Sequence, residues 1–215
     1  MGQPLCPALT KPYHCMQFIT KLPILILTLL CIASCSGQDN VKEYRFPQVG
    51  WTLKISTTEN FLDSAQFEVI SKNATDIINN TYNSDINLKE LKPLFIIRQG
   101  QYNLIGSSIN LFDTSAFESW QDSYFISKQI LIKTITDLGP AVKILDTITS
   151  IEIIDNLQFE KLYVKTFYQS LNFTMHNYWY YRKQNDYDFS INISYVDPEI
   201  GAHFFEILRN SKFDK

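Results

Sequence analysis

The last third of the chain restricts the fold most. Residues 150–154 and 157–168 are apolar-rich runs on either side of Asp155-Asn156, a pair that suits a tight turn. Phe173, Met175, Trp179 and Tyr181 then recur at even spacing. After the polar loop Lys183-Gln184-Asn185-Asp186, Phe189, Ile191, Ile193 and Tyr195 alternate with Ser190, Asn192 and Ser194. A period of two is the signature of a strand. Parallel neighbours need a long crossover between them, which these short connections do not supply, so the sheet is expected to be largely antiparallel. If 189–195 is a central strand, Ile191 and Ile193 enter the core together.

Upstream, Trp51, Leu53 and Ile55 alternate with Thr52, Lys54 and Ser56 after Gly50, which gives a half-buried strand. Ser56-x-x-Glu59 reads as a capping box. It opens a helix whose apolar stripe runs through Phe61, Leu62, Ala65, Val69, Ile70, Ala74, Ile77 and Ile78. A strand at Leu94-Phe95-Ile96-Ile97, a turn at Gln99-Gly100-Gln101 and a strand through Ile105, Ile109 and Leu111 follow. Ser115-x-x-Glu118 reads as a second capping box, before a helix carrying Phe117, Trp120, Tyr124, Leu131, Ile135 and Leu138 that stops at Gly139-Pro140. Asp197-Pro198 caps a last helix lined by Ile200, Phe204, Ile207 and Leu208. The expected class is α+β: a mostly antiparallel sheet covered by helices on both faces, an α/β/α sandwich.

The N-terminus follows different rules. Residues 22–33, LPILILTLLCIA, are too short to span a bilayer but have the length of a signal-peptide apolar region, with Lys21 as its positive flank. Ile32-Ala33-Ser34-Cys35 resembles a bacterial lipobox, in which small residues precede a Cys that takes diacylglycerol on its thiol and becomes the first mature residue. A secretory signal cleaved near Ala33 and a buried core segment are the alternatives. Met16 opens a compact signal of this kind, so residues 1–15 read as a misplaced start. The organisation expected is therefore a signal at 1–34, a lipidated tether at 35–41 and one domain at 42–215. Acyl chains on Cys35, palmitate among them, would anchor the protein stably. Ser36 rather than Asp follows that Cys, which points to the outer membrane, with the domain on its periplasmic face.

The 181 residues from Cys35 onward carry 17 basic and 22 acidic side chains and no second Cys, so they form no internal disulfide. An acidic balance argues against a nucleic-acid partner. With 45% hydrophobic and 19% charged residues, the chain has the means for a real core, which excludes a disordered chain.

Three segments carry a family likeness. Tyr44-Arg45-Phe46-Pro47 followed by Gly50-Trp51-Thr52-Leu53-Lys54-Ile55 resembles the opening of PsbP-like domains. Asp155-Asn156-Leu157-Gln158-Phe159 resembles the turn and strand before their long hairpins, and Ile207-Leu208-Arg209-Asn210-Ser211-Lys212-Phe213 their closing helix with its terminal Ser-x-Phe. The resemblance implies a PsbP-like α/β/α sandwich in a bacterial lipoprotein. In photosynthetic organisms such domains support a membrane complex from the lumenal side, and elsewhere the fold serves as a protein-binding module. No motif here matches the metal- or chloride-related features of the photosynthetic members, so no cofactor is expected.

Residues suited to chemistry are few. Glu199 and His203 share a helix face at metal-pair spacing, but no third ligand accompanies them, and Asp197 and Glu199 suit the helix N-terminus. His176 shares a strand face with Tyr178 and Tyr180, opposite Trp179 and Tyr181. No G-x-S-x-G, H-E-x-x-H or phosphate-binding glycine loop is present. His176, Tyr178 and Tyr180 are the candidate binding surface, with core packing as the competing role of the tyrosines. The function expected is a lipid-anchored envelope accessory protein, without catalysis, that binds a protein partner. The alternative is a small-ligand carrier or hydrolase with an aromatic pocket near Tyr178 and Tyr180.

Overall fold

The computed structural model describes residues 40–62, 69, 72 and 91–214. The chain from Asn40 to Lys215 is one compact unit. Among the described residues the strands are β1 Val41–Phe46, β2 Trp51–Ser56, β3 Lys92–Gln99, β4 Asn103–Leu111, β5 Val142–Ile154, β6 Leu157–Tyr168, β7 Phe173–Gln184, β8 Tyr187–Tyr195 and β9 Lys212–Phe213, and the α-helices described in full are α1 Trp120–Asp137 and α2 Pro198–Arg209. β1, β2 and β9 form a three-stranded sheet, and the other strands form a six-stranded sheet in the order β3-β4-β8-β7-β6-β5. Every ladder in the two sheets is antiparallel, as the short late connections require. At the β5–β6 hairpin, Asp155 (φ 45°) and Asn156 (φ 67°) both take the left-handed conformation that a two-residue hairpin loop demands.

Several boundaries differ from the sequence reading. β1 includes Val41, which the reading assigned to the tether, and forms a strand where none was expected. Its exposed residues mask the alternation, and pairing with β2 creates the strand. β5 begins at Val142, eight residues before the run at 150–154. A bulge between Ile144 and Asp146 breaks the period there, and residues 145–149 are exposed, so no apolar alternation marks the strand.

The cap of α1 is Ser119, whose hydroxyl accepts from the Asp122 amide at 3.2 Å, not Ser115. Ser115 instead sits in a local turn on the Asp113 carboxylate. Ser56 ends β2, with its Oγ 2.8 Å from Thr58 Oγ1. The helix expected after it lies outside the described residues, apart from Val69 and Lys72, which are helical and exposed.

The main core fills the space between one face of the six-stranded sheet and a cover made of the three-stranded sheet and α2. Ile191 and Ile193 of β8 are both fully buried in it, which fits a strand with neighbours on both sides. Trp51 stands at its centre, 5.1 Å from the Phe189 ring, 5.7 Å from Phe95 and 5.8 Å from Phe213. Asp155 locks this pole: its carboxylate accepts from the Phe213 amide at 2.8 Å and pairs with Lys212 at 3.0 Å. The carbonyl oxygen of Gly50, a residue at φ +60°, accepts from the Asp214 amide at 2.7 Å. A Cβ at Gly50 would also press on Asp214, 3.2 Å away.

Candidate functional site

Strand parity and register set the site. On β7, His176, Tyr178, Tyr180 and Arg182 point to the core face, because Tyr178 and Tyr180 pair with Ile193 and Ile191 of β8. Two rows cross the sheet on that face. Ile148, Tyr163 and Tyr178 form one, and Asp146, Lys165, His176 and Tyr195 form the next.

Tyr180 belongs to the core. It is 1% exposed and its hydroxyl donates to Glu152 Oε2 at 3.3 Å, where Lys161 also binds at 2.6 Å. Burial, then the Glu152 charge, pushes its pKa up. Of the three residues singled out in the sequence, His176 and Tyr178 therefore form the rim, and both are half-buried.

The rim is made of rings in contact. Tyr178 lies 4.6 Å from Tyr163 and meets Phe205 of α2 edge-on at 4.9 Å. His176 stacks on Tyr195 at 5.0 Å with the planes 4° apart, and its Nδ1 is 2.9 Å from the Tyr163 hydroxyl. Burial first, then the Lys165 charge, lowers the His176 pKa, so the imidazole is neutral near pH 7. Burial, followed by Tyr195 and Asp146, raises that of Tyr163. The Arg209 guanidinium lies over the Phe205 ring at 5.6 Å.

Two features that sequence reasoning did not assign position this rim. Gly201 lets α2 lie directly on Tyr195, since a Cβ there would come within 2.7 Å of the ring. Asn103, at the β3–β4 turn, accepts from the Val196 and Asp197 amides at 2.9 and 3.1 Å and so holds the start of α2. Asp197 caps α2 as expected, accepting from the Glu199 amide at 2.9 Å. Outward from the rim, Ile148 is 48% exposed and lies on β5, an edge strand that also exposes Leu145, Ile151 and Ile153.

His203 turns to Glu59, with Nε2 2.7 Å from Oε1, and Gln99 donates to the other oxygen at 2.9 Å. Glu59 is the partner the sequence concealed, because it lies 144 residues away. Among the described residues no group of three His, Cys, Asp or Glu side chains could hold a metal ion, and no helix is long and apolar enough to cross a membrane. Cys35 lies outside the described residues. A groove of about 740 Å³ opens beside Tyr102, Asn103 and Asp197, and a cavity of about 180 Å³ lies under α1. Neither is lined by His176, Tyr178 or Tyr180.

No protein-family model matches the chain, and no curated protein matches it. Among solved structures, the solution structure of cyanobacterial PsbP (CyanoP) from Synechocystis sp. PCC 6803 superposes with a TM-score of 0.51 over 84% of this chain and 98% of that one, at 9% identity. The fold is PsbP-like. The three family-like segments converge in space: Trp51, Phe159 and Phe213 meet at one pole, with Phe159 5.7 Å from Phe213. Their resemblance is thus one packing unit, brought together from the start, middle and end of the domain. In this PsbP-like frame the rim of His176 and Tyr178 lies beside α2, and Ile148 carries it to the sheet edge.

Proposed function

We propose that the protein is a lipid-anchored accessory protein of the bacterial cell envelope that docks a protein partner and catalyses no reaction. In this reading Cys35 carries the acyl chains, the domain stands on the periplasmic face of the outer membrane, and helices cover both faces of the sheet in an α/β/α sandwich. The supporting observation is the half-buried aromatic rim of Tyr163, His176, Tyr178, Tyr195 and Phe205 running onto exposed Ile148 of β5, which pairs with β6 and is the edge strand of the sheet among the described residues. Rigid rings bury large areas at little entropic cost, and an open edge offers backbone donors and acceptors to an added strand.

Two measurements test it. Radiolabelled palmitate should enter the wild-type chain and not Cys35→Ser; equal labelling removes the anchor from the proposal. A photo-crosslinking residue at Ile148 should capture one discrete partner in the native envelope, while the same residue at exposed Lys54 should capture none. Identical patterns at both positions would remove the docking surface.

A further inference from the structure

The back face of the six-stranded sheet, opposite the rim, holds a feature that neither the core nor the docking surface uses. The cavity of about 180 Å³ lies where α1 crosses β4, β7 and β8. Its walls include Trp120 and Tyr124 of α1, Tyr181 of β7, and Asp188 and Ser190 of β8. Two polar atoms there are buried without a hydrogen-bond partner: Asp188 Oδ1 and the Tyr124 hydroxyl. Tyr124 is only 9% exposed. Buried groups of this kind cost stability unless something satisfies them.

Two polar neighbours, Ser190 and Lys183, make contacts elsewhere. The Trp120 indole is near enough to the Asp188 carboxylate to favour its charged form, but Oδ1 has no hydrogen-bond partner. Ser190 Oγ is 2.9 Å from Ser108 Oγ. Lys183 lies opposite Asp188 in the ladder, yet its ammonium sits 4.5 Å over the Phe112 ring. Burial accordingly raises the Asp188 pKa, against the opposing effects of Trp120 and Lys183. It also pushes Tyr124 up to about 12, with Glu160 adding to the shift.

The rings define what fits. Tyr124 lies 5.7 Å from Trp120 and 5.5 Å from Tyr181, so the carboxylate opens into an aromatic wall. Aromatic faces attract weakly hydrated cations; the Tyr124 ring already has the Lys128 ammonium at 5.6 Å. A hard divalent metal ion needs about six oxygen ligands, more than one carboxylate and phenolic rings provide. The volume is well below the roughly 300–1,000 Å³ of drug-sized sites, so the occupant is small.

We propose that this cavity binds a small protonated alkylamine, whose ammonium donates to Asp188 Oδ1 and packs against the Trp120 and Tyr181 rings, with the Tyr124 hydroxyl as a second polar anchor. The ammonium supplies the donor that the buried Asp188 Oδ1 lacks, while its alkyl part replaces water against the rings. This site is independent of the docking surface, since the two lie on opposite faces of the sheet.

The test uses the full chain in detergent, with ethylammonium chloride as the probe and sodium chloride at equal concentration as the control. The indole N–H of Trp120 reports directly through its NMR resonance, assigned by loss of the peak in Trp120→Phe. Ethylammonium should shift that resonance saturably, sodium should not, and Asp188→Asn should weaken binding by about tenfold or more. Asparagine keeps the side-chain volume and an acceptor for the indole, and a wild-type-like amide spectrum verifies its fold. If the substitution perturbs the spectrum, Tyr124→Phe replaces it; that variant should weaken binding less but measurably. No saturation by ethylammonium, an equal response to sodium, or unchanged affinity in a well-folded variant would each overturn the proposal.

Discussion

The two faces of the six-stranded sheet are built from alternate residues of the same strands, yet they are closed in different ways. On the core face, Phe189, Ile191 and Ile193 of β8 are buried against rings and aliphatic side chains. On the back face, the intervening Ser190, Asn192 and Ser194 form hydrogen bonds: Ser190 Oγ lies 2.9 Å from Ser108 Oγ, and Ser194 donates to Asn177 and Asn192 at 2.9 and 3.2 Å. The first face gains stability from dehydration, which has no directional requirement. The second buries Leu162 and Val164 as well, but its polar layer gains stability only where each group finds a partner, and Asp188 and Tyr124 show where that requirement is unmet. The apolar centre of the first face has no partner for a new charge, and its charged residues, such as Glu152 with Lys161, occur in pairs toward the rim, whereas the second face can accept one.

Adjacent residues give the sharpest break of this contrast. Ile193→Asp places an unpaired carboxylate in the core and should cost about 4 kcal/mol or more in urea denaturation. Asn192→Asp, one residue along and on the other face, should cost about 1 kcal/mol or less. Comparable losses would mean that the faces are not chemically distinct.

A smaller effect is expected at the pole of the core face. Asp155→Ala removes the acceptor for Phe213 and Lys212 and places Ala at positive φ, for a loss of about 2–3 kcal/mol. A loss below that range would separate the C-terminal tie from the stability of the core.

The helix on the back face offers a paired comparison of the next size. Ser119→Ala should cost about 1 kcal/mol as a lost N-cap. Ser115→Ala, outside the helix, should stay within about 0.5 kcal/mol. The reverse order would restore Ser115 as the cap.

The smallest effect belongs to the rim of the core face and depends on pH. The pKa of His176 is lower in the folded chain than the ordinary 6.5, so the unfolded chain binds that proton more readily. Its contribution to stability is therefore present above about 6.5 and is lost as the pH falls through that value and on through the lowered folded one. Between pH 7 and pH 5 the wild type should lose slightly more Tm than His176→Gln. Equal losses would mean that the ring is solvated and not stacked on Tyr195.

The sequence disclosed those parts of the fold whose signal is local. Alternation gave β7 and β8, because a strand buried on one face must repeat every second residue, and the short connections gave the antiparallel sheet. Asp197-Pro198 marked the start of α2, since capping depends only on neighbours along the chain. Parity also placed His176, Tyr178 and Tyr180 on one face. Where elements are fixed by distant contacts the sequence was silent. β1 exists because β2 pairs with it, and the first half of β5 is an exposed edge broken by a bulge.

The division between Tyr178 at the rim and Tyr180 in the core also came from tertiary structure. Both face the same way; where α2 ends its cover and where Glu152 meets the Tyr180 hydroxyl decide which one is buried. The same holds for Glu59 with His203, and for Asp188 with Trp120 and Tyr124. A residue's periodicity records which way it points, whereas its partners and its exposure depend on what the rest of the chain brings to that side.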